Sequence, residues 1–339
     1  MRFLIITVAF FVCSYSINSY SFQNEIPTPS IQAPLADKSL LLDITQVGQK
    51  KLVAVGEYGH ILLSKDGKKW RQAEVPVQST LTSVYFHTTE LGWAVGHDAT
   101  ILHSKDGGES WAIQHYAPEL EKPLFDIVFN NTKDGIAVGA YGQTFRTSNG
   151  GKTWQSEFHQ EFLLADDIDY LADLKREDEE AYLDEIAFIL PHFNKLVKDG
   201  RTLFLLGEIG MLAKSNDFGM TWQKFDDIYQ GSFFSLARTK SGNLIVAGLR
   251  GHVFRGIKNG STWSEVNTNT TALLNEIIIS NDDRVIILGN NGVLLESNDD
   301  GVTYKLHAQK DGKALIAGVL FQEQLIVVSD VGIKHISLK

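Results

Sequence analysis

The segment WAVGHDATILHSKDGGESW (residues 93–111) is one of six copies of a single pattern in this chain. Each copy joins an apolar, glycine-containing run to the signature Ser-x-Asp-x-Gly-x-Thr-Trp or a close variant of it. The copies end at aromatic markers separated by 41, 43, 68, 41 and 41 residues, namely Trp70, Trp111, Trp154, Trp222, Trp263 and Tyr304. A seventh, truncated copy covers residues 326–337. The chain is therefore an array of seven similar units.

Every unit carries the strand signals of a propeller blade. The second unit has three short apolar runs, which start at Ser83, Trp93 and Thr100, and a fourth that starts at Trp111. Short runs of β-branched and aromatic residues bounded by Gly and Asp predict strands. A repeat of this length that holds only strands is typical of a β-propeller rather than a helical solenoid. The sequence predicts an all-β fold, a seven-bladed β-propeller.

Closure of the ring needs one more strand than the last unit supplies. That unit, from about residue 314 to 338, has three apolar runs instead of four. We expect residues 26–36 to add the fourth strand to the last blade, because an unpaired sheet edge is a liability. Pro27, Pro29 and Pro34 suit an outer edge strand only, since proline cannot donate to a central ladder.

The first 21 residues, MRFLIITVAFFVCSYSINSYS, have the form of a secretory signal peptide. The propeller would then occupy residues 22–339. Cys13 is the one cysteine of the chain, and the Phe11-Val12 pair before it lacks the small residue that a lipobox requires. We expect an exported protein without disulfides, located in the periplasm, in the thylakoid lumen of a photosynthetic cell, or outside the cell.

The one long interval between units holds an acidic insertion, residues 157–191. Its first part, residues 157–185, contains 12 acidic residues against Lys175 and Arg176. The rest of the mature chain is nearly neutral, and this balance argues against a nucleic-acid partner, which would require a basic surface. The acidic residues that we predict to bind a partner are Asp166, Asp167, Asp169, Glu177, Glu179 and Glu180.

The insertion has the length of about one helix-turn-helix, and its spacing predicts helical structure over residues 166–190, ending at Pro191. Its apolar residues recur every three or four positions, and they are Ile168, Leu171, Leu174, Tyr182, Ile186 and Ile189. Two interpretations of this stripe remain open: it packs on the propeller, or it docks a partner helix. The acidic residues likewise fit either a solvated face or a partner site.

The acidic signature before each marker predicts a structural turn. An Asp or Asn side chain accepts hydrogen bonds from the backbone of its own turn, and Gly supplies the positive φ. These residues are Asp66, Asp106, Asn149, Asp217 and Asp299, followed by Trp70, Trp111, Trp154, Trp222 and Trp263. Because every blade has its own copy at the outer edge, the turns cannot converge on one sugar or calcium ion.

This signature resembles the Asp-box, or BNR, repeat. Together with the preceding run VAVGEYGHILLS (residues 53–64) it is similar to the photosystem II stability and assembly factor family of propellers. The resemblance covers about residues 41–337. It implies an exported, non-catalytic scaffold or assembly factor that binds a membrane protein complex.

Strand order in a blade assigns one surface to binding. Turns from the second to the third strand emerge on the same side as the connections between blades, and the insertion is such a connection. We call this side the candidate face, since loops on a rigid scaffold carry function. The residues predicted to bind the partner there are Glu57, Tyr58, His97, Asp98, Tyr141, Glu208, Arg250, Asn290 and Asp330.

The alternative function is a secreted glycan-binding or sialidase-like propeller, because sialidases also carry Asp-boxes. That chemistry requires three convergent arginines, whereas only Arg250 falls on the candidate face. A metal site would need Glu57, His97, Glu208 and Asp330, which belong to four different blades. We therefore expect no catalytic residue, cofactor or metal, and a monomeric chain bound peripherally to a membrane protein or membrane-associated complex.

Overall fold

The computed structural model describes residues 26–338, which form seven antiparallel sheets. Their first strands contact one another in sequence around a central channel, and the first sheet closes against the last. The seven-bladed propeller predicted from the repeats is confirmed. The predicted signal peptide and Cys13 lie outside the described residues.

Blades one to three are four-stranded sheets in simple sequential order. Blade one holds β1 (Leu41–Val47), β2 (Lys51–Gly56), β3 (Ile61–Ser64) and β4 (Arg71–Gln72). Blade two holds β5 (Leu81–Phe86), β6 (Gly92–Gly96), β7 (Ile101–Ser104) and β8 (Ala112–His115). Blade three holds β9 (Leu124–Phe129), β10 (Gly135–Gly139), β11 (Thr144–Thr147) and β12 (Gln155–Glu157).

Blades four to six repeat this order, and blade seven has three strands. Blade four holds β13 (Phe193–Asp199), β14 (Thr202–Gly207), β15 (Leu212–Ser215) and β16 (Gln223–Lys224). Blade five holds β17 (Phe233–Arg238), β18 (Leu244–Gly248), β19 (Val253–Ile257) and β20 (Thr262–Val266). Blade six holds β21 (Leu274–Ile279), β22 (Val285–Gly289), β23 (Val293–Ser297) and β24 (Lys305–Ala308). Blade seven holds β25 (Leu315–Phe321), β26 (Gln324–Ser329) and β27 (Gly332–Ile336).

The core lies between neighbouring blades. Second strands such as β6 and β18 are buried at every residue because each of their two faces packs against another sheet. Such strands have continuous apolar sequences rather than an alternating pattern. Each first strand has a β-bulge near its start, for example between Leu41 and Asp43. The bulge turns the third residue of the strand toward the channel.

The insertion folds as two helices, α1 (Ala165–Glu177) and α2 (Glu179–Ile186), between blades three and four. The two helices match the predicted helix-turn-helix, and the break between them falls at Asp178, whose backbone is extended. Its side chain accepts a 3.0 Å hydrogen bond from the Ala181 N–H and so caps α2.

The expected N-terminal strand in blade seven is not formed. Residues 26–36 contain no strand, and they run along the outer edge of blade one. Ser30 N–H donates to the Val75 carbonyl at 2.9 Å, and Ala33 N–H donates to the Gln72 side chain at 2.9 Å. A short 3-10 turn (Ala36–Lys38) then crosses to β27. The prolines explain the difference, since they remove the donors that a fourth strand would need.

Candidate binding face

Six of the seven turns on the candidate face hold a non-glycine residue in the left-handed region of backbone space. The residues, with φ between 52° and 59°, are Tyr58, Asp98, Tyr141, Ile209, Arg250 and Asn291. This conformation costs roughly 1–2 kcal/mol for each such residue. It directs the side chain to solvent: Tyr58 is 63% exposed and Ile209 is 67% exposed. The conformation follows from the turn itself, because a two-residue hairpin loop of this type needs positive φ at both central residues.

Several residues predicted to bind a partner are instead engaged within the propeller. The Glu57 carboxylate accepts a 2.9 Å hydrogen bond from the Leu40 N–H, and Asp330 accepts one of 3.1 Å from the Ala314 N–H. The Asn290 side chain accepts a hydrogen bond from an amide on β21. Each of these three side chains ties the turn of its blade to the start of the first strand of the same blade.

The structure brings two of the predicted residues together on blades three and four. The Tyr141 N–H donates to Nδ1 of His192 at 2.9 Å, and the same ring nitrogen lies 3.9 Å from the Glu208 carboxylate. Tyr58, His97, Arg250 and Asp330 lie on other blades, and within residues 26–338 no cluster of His, Asp and Glu suits a metal ion.

A cluster of exposed apolar side chains surrounds this junction, and sequence reasoning missed most of it. The Tyr141 ring lies 5.1 Å from the Phe188 ring and 4.5 Å from the His192 ring, edge to face in both cases. Phe188 is 60% exposed. Ile209 lies in the neighbouring turn of blade four, next in sequence to Glu208, whose carboxylate is 3.9 Å from His192. We call Tyr141, Phe188 and His192, together with Ile209 of this neighbouring turn, the aromatic patch.

Lys122 attaches the end of the helical insertion to blade three. Its ammonium group donates to the Ala187 carbonyl at 2.5 Å and lies 4.8 Å from the centre of the Phe188 ring. Desolvation lowers the pKa of Lys122 below its ordinary value. A cation at the last turn of a helix is stabilised by the helix dipole and by the ring face.

The insertion is anchored in the core of the propeller. Phe162 and Leu190 are buried and join the cluster around Phe193. Gly142 has a φ of 66°, and an added Cβ there would lie 2.5 Å from Cβ of Leu190. The predicted apolar stripe is buried at Leu171 and half-buried at its other residues. This arrangement favours packing of the stripe against the protein over docking of a partner helix.

The acidic residues of the helices face water. Asp166, Asp169, Glu177, Glu179 and Glu180 are exposed, and Asp167 is half-buried. The cations of this segment are engaged locally, because Arg176 pairs with Asp173 and Lys175 lies 5.0 Å from the Tyr182 ring. The insertion therefore presents a dense negative charge beside the aromatic patch.

The acidic turns lie on the opposite side, which we call the Asp-box face. The Asp217 carboxylate accepts hydrogen bonds from the Ser215 hydroxyl at 2.6 Å and from the Thr221 hydroxyl at 2.6 Å. These bonds lower the pKa of Asp217 to about 2. The equivalent Asp106 and Asp299 make the same local contacts. Each turn uses its carboxylate internally.

The aromatic markers lie in the apolar clusters between adjacent blades. Trp111 packs with residues of blades one and two, and Trp222 packs with those of blades three and four. Phe86 meets Trp111 edge to face at 6.0 Å. Such pairs add about 0.5–1.5 kcal/mol beyond area burial.

A belt of polar residues lines the central channel, and sequence reasoning did not find it. The third residue of six first strands contributes a side chain, giving Asp43, Ser83, Asp126, Lys195, Ser235 and Glu276 around a cavity of about 310 Å³. We call these six residues the channel belt.

The channel belt joins each blade to the next through backbone donors. Asp43 accepts from the Val84 N–H at 2.9 Å, and Asp126 accepts from the Leu196 N–H at 2.8 Å. The Ser83 hydroxyl lies 3.0 Å from Asp43 and 2.7 Å from Asp126. Since Ser83 has one proton, it donates to only one of these carboxyl groups at a time. The second contact becomes a full hydrogen bond when the other carboxyl is protonated and donates to the Ser83 oxygen. Burial raises the pKa of Asp126 and so favours that state.

The same pattern continues across blades five to seven. The Ser235 hydroxyl accepts from the Ile277 N–H at 3.0 Å, and Glu276 accepts from the Gly318 N–H at 2.7 Å. Lys195 lies among the carboxylates, 3.8 Å from Asp126. Desolvation opposes its charge, yet the carboxylates raise the pKa of Lys195 above its ordinary value.

Glu276 makes the stability of the ring depend on pH. Desolvation raises its pKa from 4.5 to about 8, so the folded chain holds a proton that the unfolded chain releases. Stability is therefore fully present below pH 4.5 and decreases as pH rises toward 8. We expect Glu276→Gln, which keeps the acceptor for Gly318, to be more stable than the native chain at pH 8.5 by about 4 kcal/mol.

Urea unfolding of both chains between pH 4.5 and 8.5 measures this difference. The difference in unfolding free energy between the variant and the native chain should be close to zero at pH 4.5 and should increase with pH. Parallel stability curves for the two chains would show that Glu276 titrates normally in the fold.

The fold and its surfaces define the class of the protein: a seven-bladed β-propeller with an acidic, helix-bearing face. Residues 62–155 match the family model described as photosynthesis system II assembly factor YCF48. A photosystem II assembly protein Ycf48 of Synechococcus sp. (strain JA-2-3B'a(2-13)) is 44% identical over 54 residues. That alignment spans 15% of this chain and 16% of the relative. The chain is therefore a propeller similar to photosystem II assembly factors.

Solved structures share the fold over nearly the whole chain. The structure described as YCF48 bound to D1 peptide has a TM-score of 0.68 at 18% identity and covers 93% of this chain and 99% of its own. A streptogramin B lyase has a TM-score of 0.67 at 11% identity and covers 91% of this chain and 96% of its own. The fold alone thus includes both binding proteins and enzymes.

Proposed function

We propose that this chain is an exported, non-catalytic assembly factor that binds a membrane protein complex through its candidate face. The observation that carries the proposal is the aromatic patch, which holds exposed Phe188 and Ile209 beside acidic helices. The match to the assembly factor model and the likeness to a YCF48 solved with a D1 peptide support it. The signal-peptide pattern of residues 1–21 supports export.

The arginines argue against the sialidase-like alternative. Most of them are held by acidic neighbours, in the pairs Arg71–Glu109, Arg146–Glu157, Arg238–Asp199, Arg255–Asp300 and Arg284–Asp282. An arginine cluster that recognises a substrate carboxylate must be free to converge at the channel mouth. Among the described residues that line the channel, the cation near the carboxyl groups is Lys195, and there is no arginine.

Peripheral attachment is part of the proposal. Within residues 26–338, no helix has both the length and the apolar composition needed to cross a bilayer. The chain would act as a monomer on the exported side of a membrane, in the periplasm or the thylakoid lumen.

Affinity capture from detergent-solubilised membranes of the source cells tests the function. The bait is the mature chain, compared with a variant in which α1 and α2 (residues 165–186) are replaced by a flexible linker. The deletion must retain Phe162 and Leu190, because both belong to the core. We expect a membrane protein with the intact chain and a large loss with the variant. Recovery of no membrane protein, with binding on a glycan array instead, would favour the alternative.

A further inference from the structure

The aromatic patch has an apolar centre and an acidic rim. Phe188, at the end of the insertion, is 60% exposed, and Ile209, in the neighbouring turn of blade four, is 67% exposed. The contacts of Tyr141 with Phe188 and His192 make the patch continuous across blades three and four. Phe125 extends it toward the channel, since its ring lies 5.8 Å from that of His192.

The rim is formed by carboxylates from three elements. Asp184 and Glu185 are exposed, and the Phe188 N–H donates to the Glu185 carbonyl at 3.1 Å, so these acids lie within one turn of the patch. Glu208 lies beside His192 on the blade-four side. The exposed Glu121 is next in sequence to Lys122, whose own cation is turned inward to Ala187.

We infer that the aromatic patch binds a basic amphipathic helix of the partner protein. This inference rests on the proposed function and names the chemistry of its partner. The apolar face of the partner helix would cover Phe188 and Ile209. Lys or Arg side chains that flank this face of the partner helix would pair with Asp184, Glu185 and Glu208.

Two features of the patch select this occupant. The patch is built from turns and a helix end, so it offers side chains rather than a row of free backbone groups, which excludes strand addition as the mode of binding. Its acidic rim repels anionic headgroups, which excludes attachment to an anionic membrane surface. An amphipathic helix with basic flanks satisfies both the apolar centre and the charge.

Fluorescence anisotropy with a synthetic probe tests the inference on the mature chain. The probe is a labelled peptide of about 14 residues with Leu on one helical face and Lys on the other. We expect it to bind the native chain, and we expect the counterpart with Glu in place of Lys not to bind. The double variant Phe188→Ser/Ile209→Ser should weaken binding at least about tenfold. Asp184→Asn/Glu185→Gln should weaken binding and reduce its dependence on salt.

The matched control is Met220→Ser. Met220 is also a large apolar side chain and is 66% exposed, but it lies on the Asp-box face, away from the aromatic patch. We expect this variant to bind the probe as the native chain does, and thermal unfolding of all variants checks that each is folded. Equal binding of the probe to the native chain and the double variant would overturn the inference, as would equal binding of the acidic peptide or of phosphatidylglycerol vesicles.

The two proposals fail in different ways. If the probe binds at the patch but membrane capture yields no membrane protein, the basic-helix site stands and the proposed function is wrong. If capture succeeds and the probe does not bind, the function stands and the inferred partner chemistry is wrong.

Discussion

Replacement of Asp126 by alanine is expected to lower the free energy of unfolding by about 3–5 kcal/mol, the range seen when one partner of a buried ion pair is removed. The substitution removes the acceptor of the Leu196 N–H and the carboxylate nearest to Lys195. It also leaves Ser83 with a single carboxylate partner. Since single domains are stable by only about 5–15 kcal/mol, this change should be visible as a large shift in urea unfolding.

Ser235→Ala is the matched control for the channel belt. Ser235 has the same position in blade five and also accepts a backbone N–H, from Ile277. It carries no charge, so we expect a loss of only about 1 kcal/mol. Equal losses in Asp126→Ala and Ser235→Ala would show that the charges of the belt contribute little to holding the blades together.

Leu190→Ala should combine a large loss of stability with a loss of binding. Leu190 is 2% exposed and fills the space over Gly142. Truncation of a buried leucine costs about 2–5 kcal/mol, because it removes apolar contact and leaves a cavity. The same change releases the segment that positions Phe188, so membrane capture should decrease at temperatures where the chain is still folded.

Leu183→Ala is the control that shows whether the loss of stability in Leu190→Ala comes from the anchoring leucine or from any leucine truncated in the insertion. Leu183 is the same residue type in α2, but it is 55% exposed. We expect its unfolding free energy to remain within about 0.5 kcal/mol of the native value. A loss in Leu183→Ala as large as in Leu190→Ala would contradict the anchoring described for the insertion.

The fold was predictable because its signals recur. Six of the seven blades repeat a buried second strand and an aromatic marker, so the pattern Trp93–Trp111 could be checked against five other copies. The helical insertion stood out as the one long interval between markers. The break at Asp178 was less visible, because an aspartate inside an acidic helical run resembles its neighbours until its capping bond is seen.

The channel belt was not predicted because its residues are single polar positions on different strands. Asp43, Asp126, Lys195 and Glu276 differ in type and are far apart in the chain. Their common feature is the third position of each first strand, two residues after a buried Leu or Phe. Alignment of the repeats by that buried residue would have revealed the belt, whereas the charges alone did not.

The candidate face was predicted in outline and revised in detail. Strand order assigned the turns and the insertion to one side, and Tyr141 was among the residues named. Phe188 and Ile209 were missed, because an exposed apolar residue in sequence resembles a core residue. Residues 26–36 were assigned to blade seven from the need to close the ring, but their hydrogen bonds are to blade one.

Site-specific photo-crosslinking in intact source cells tests the central claim most directly. A photoreactive phenylalanine analogue is placed at position 188, in the aromatic patch, or at position 220, where Met220 is 66% exposed on the Asp-box face. We predict that position 188 becomes linked to a membrane protein and that position 220 does not. Two outcomes would contradict binding through the candidate face: the same membrane protein is crosslinked from both positions, or a membrane protein is crosslinked from position 220 alone.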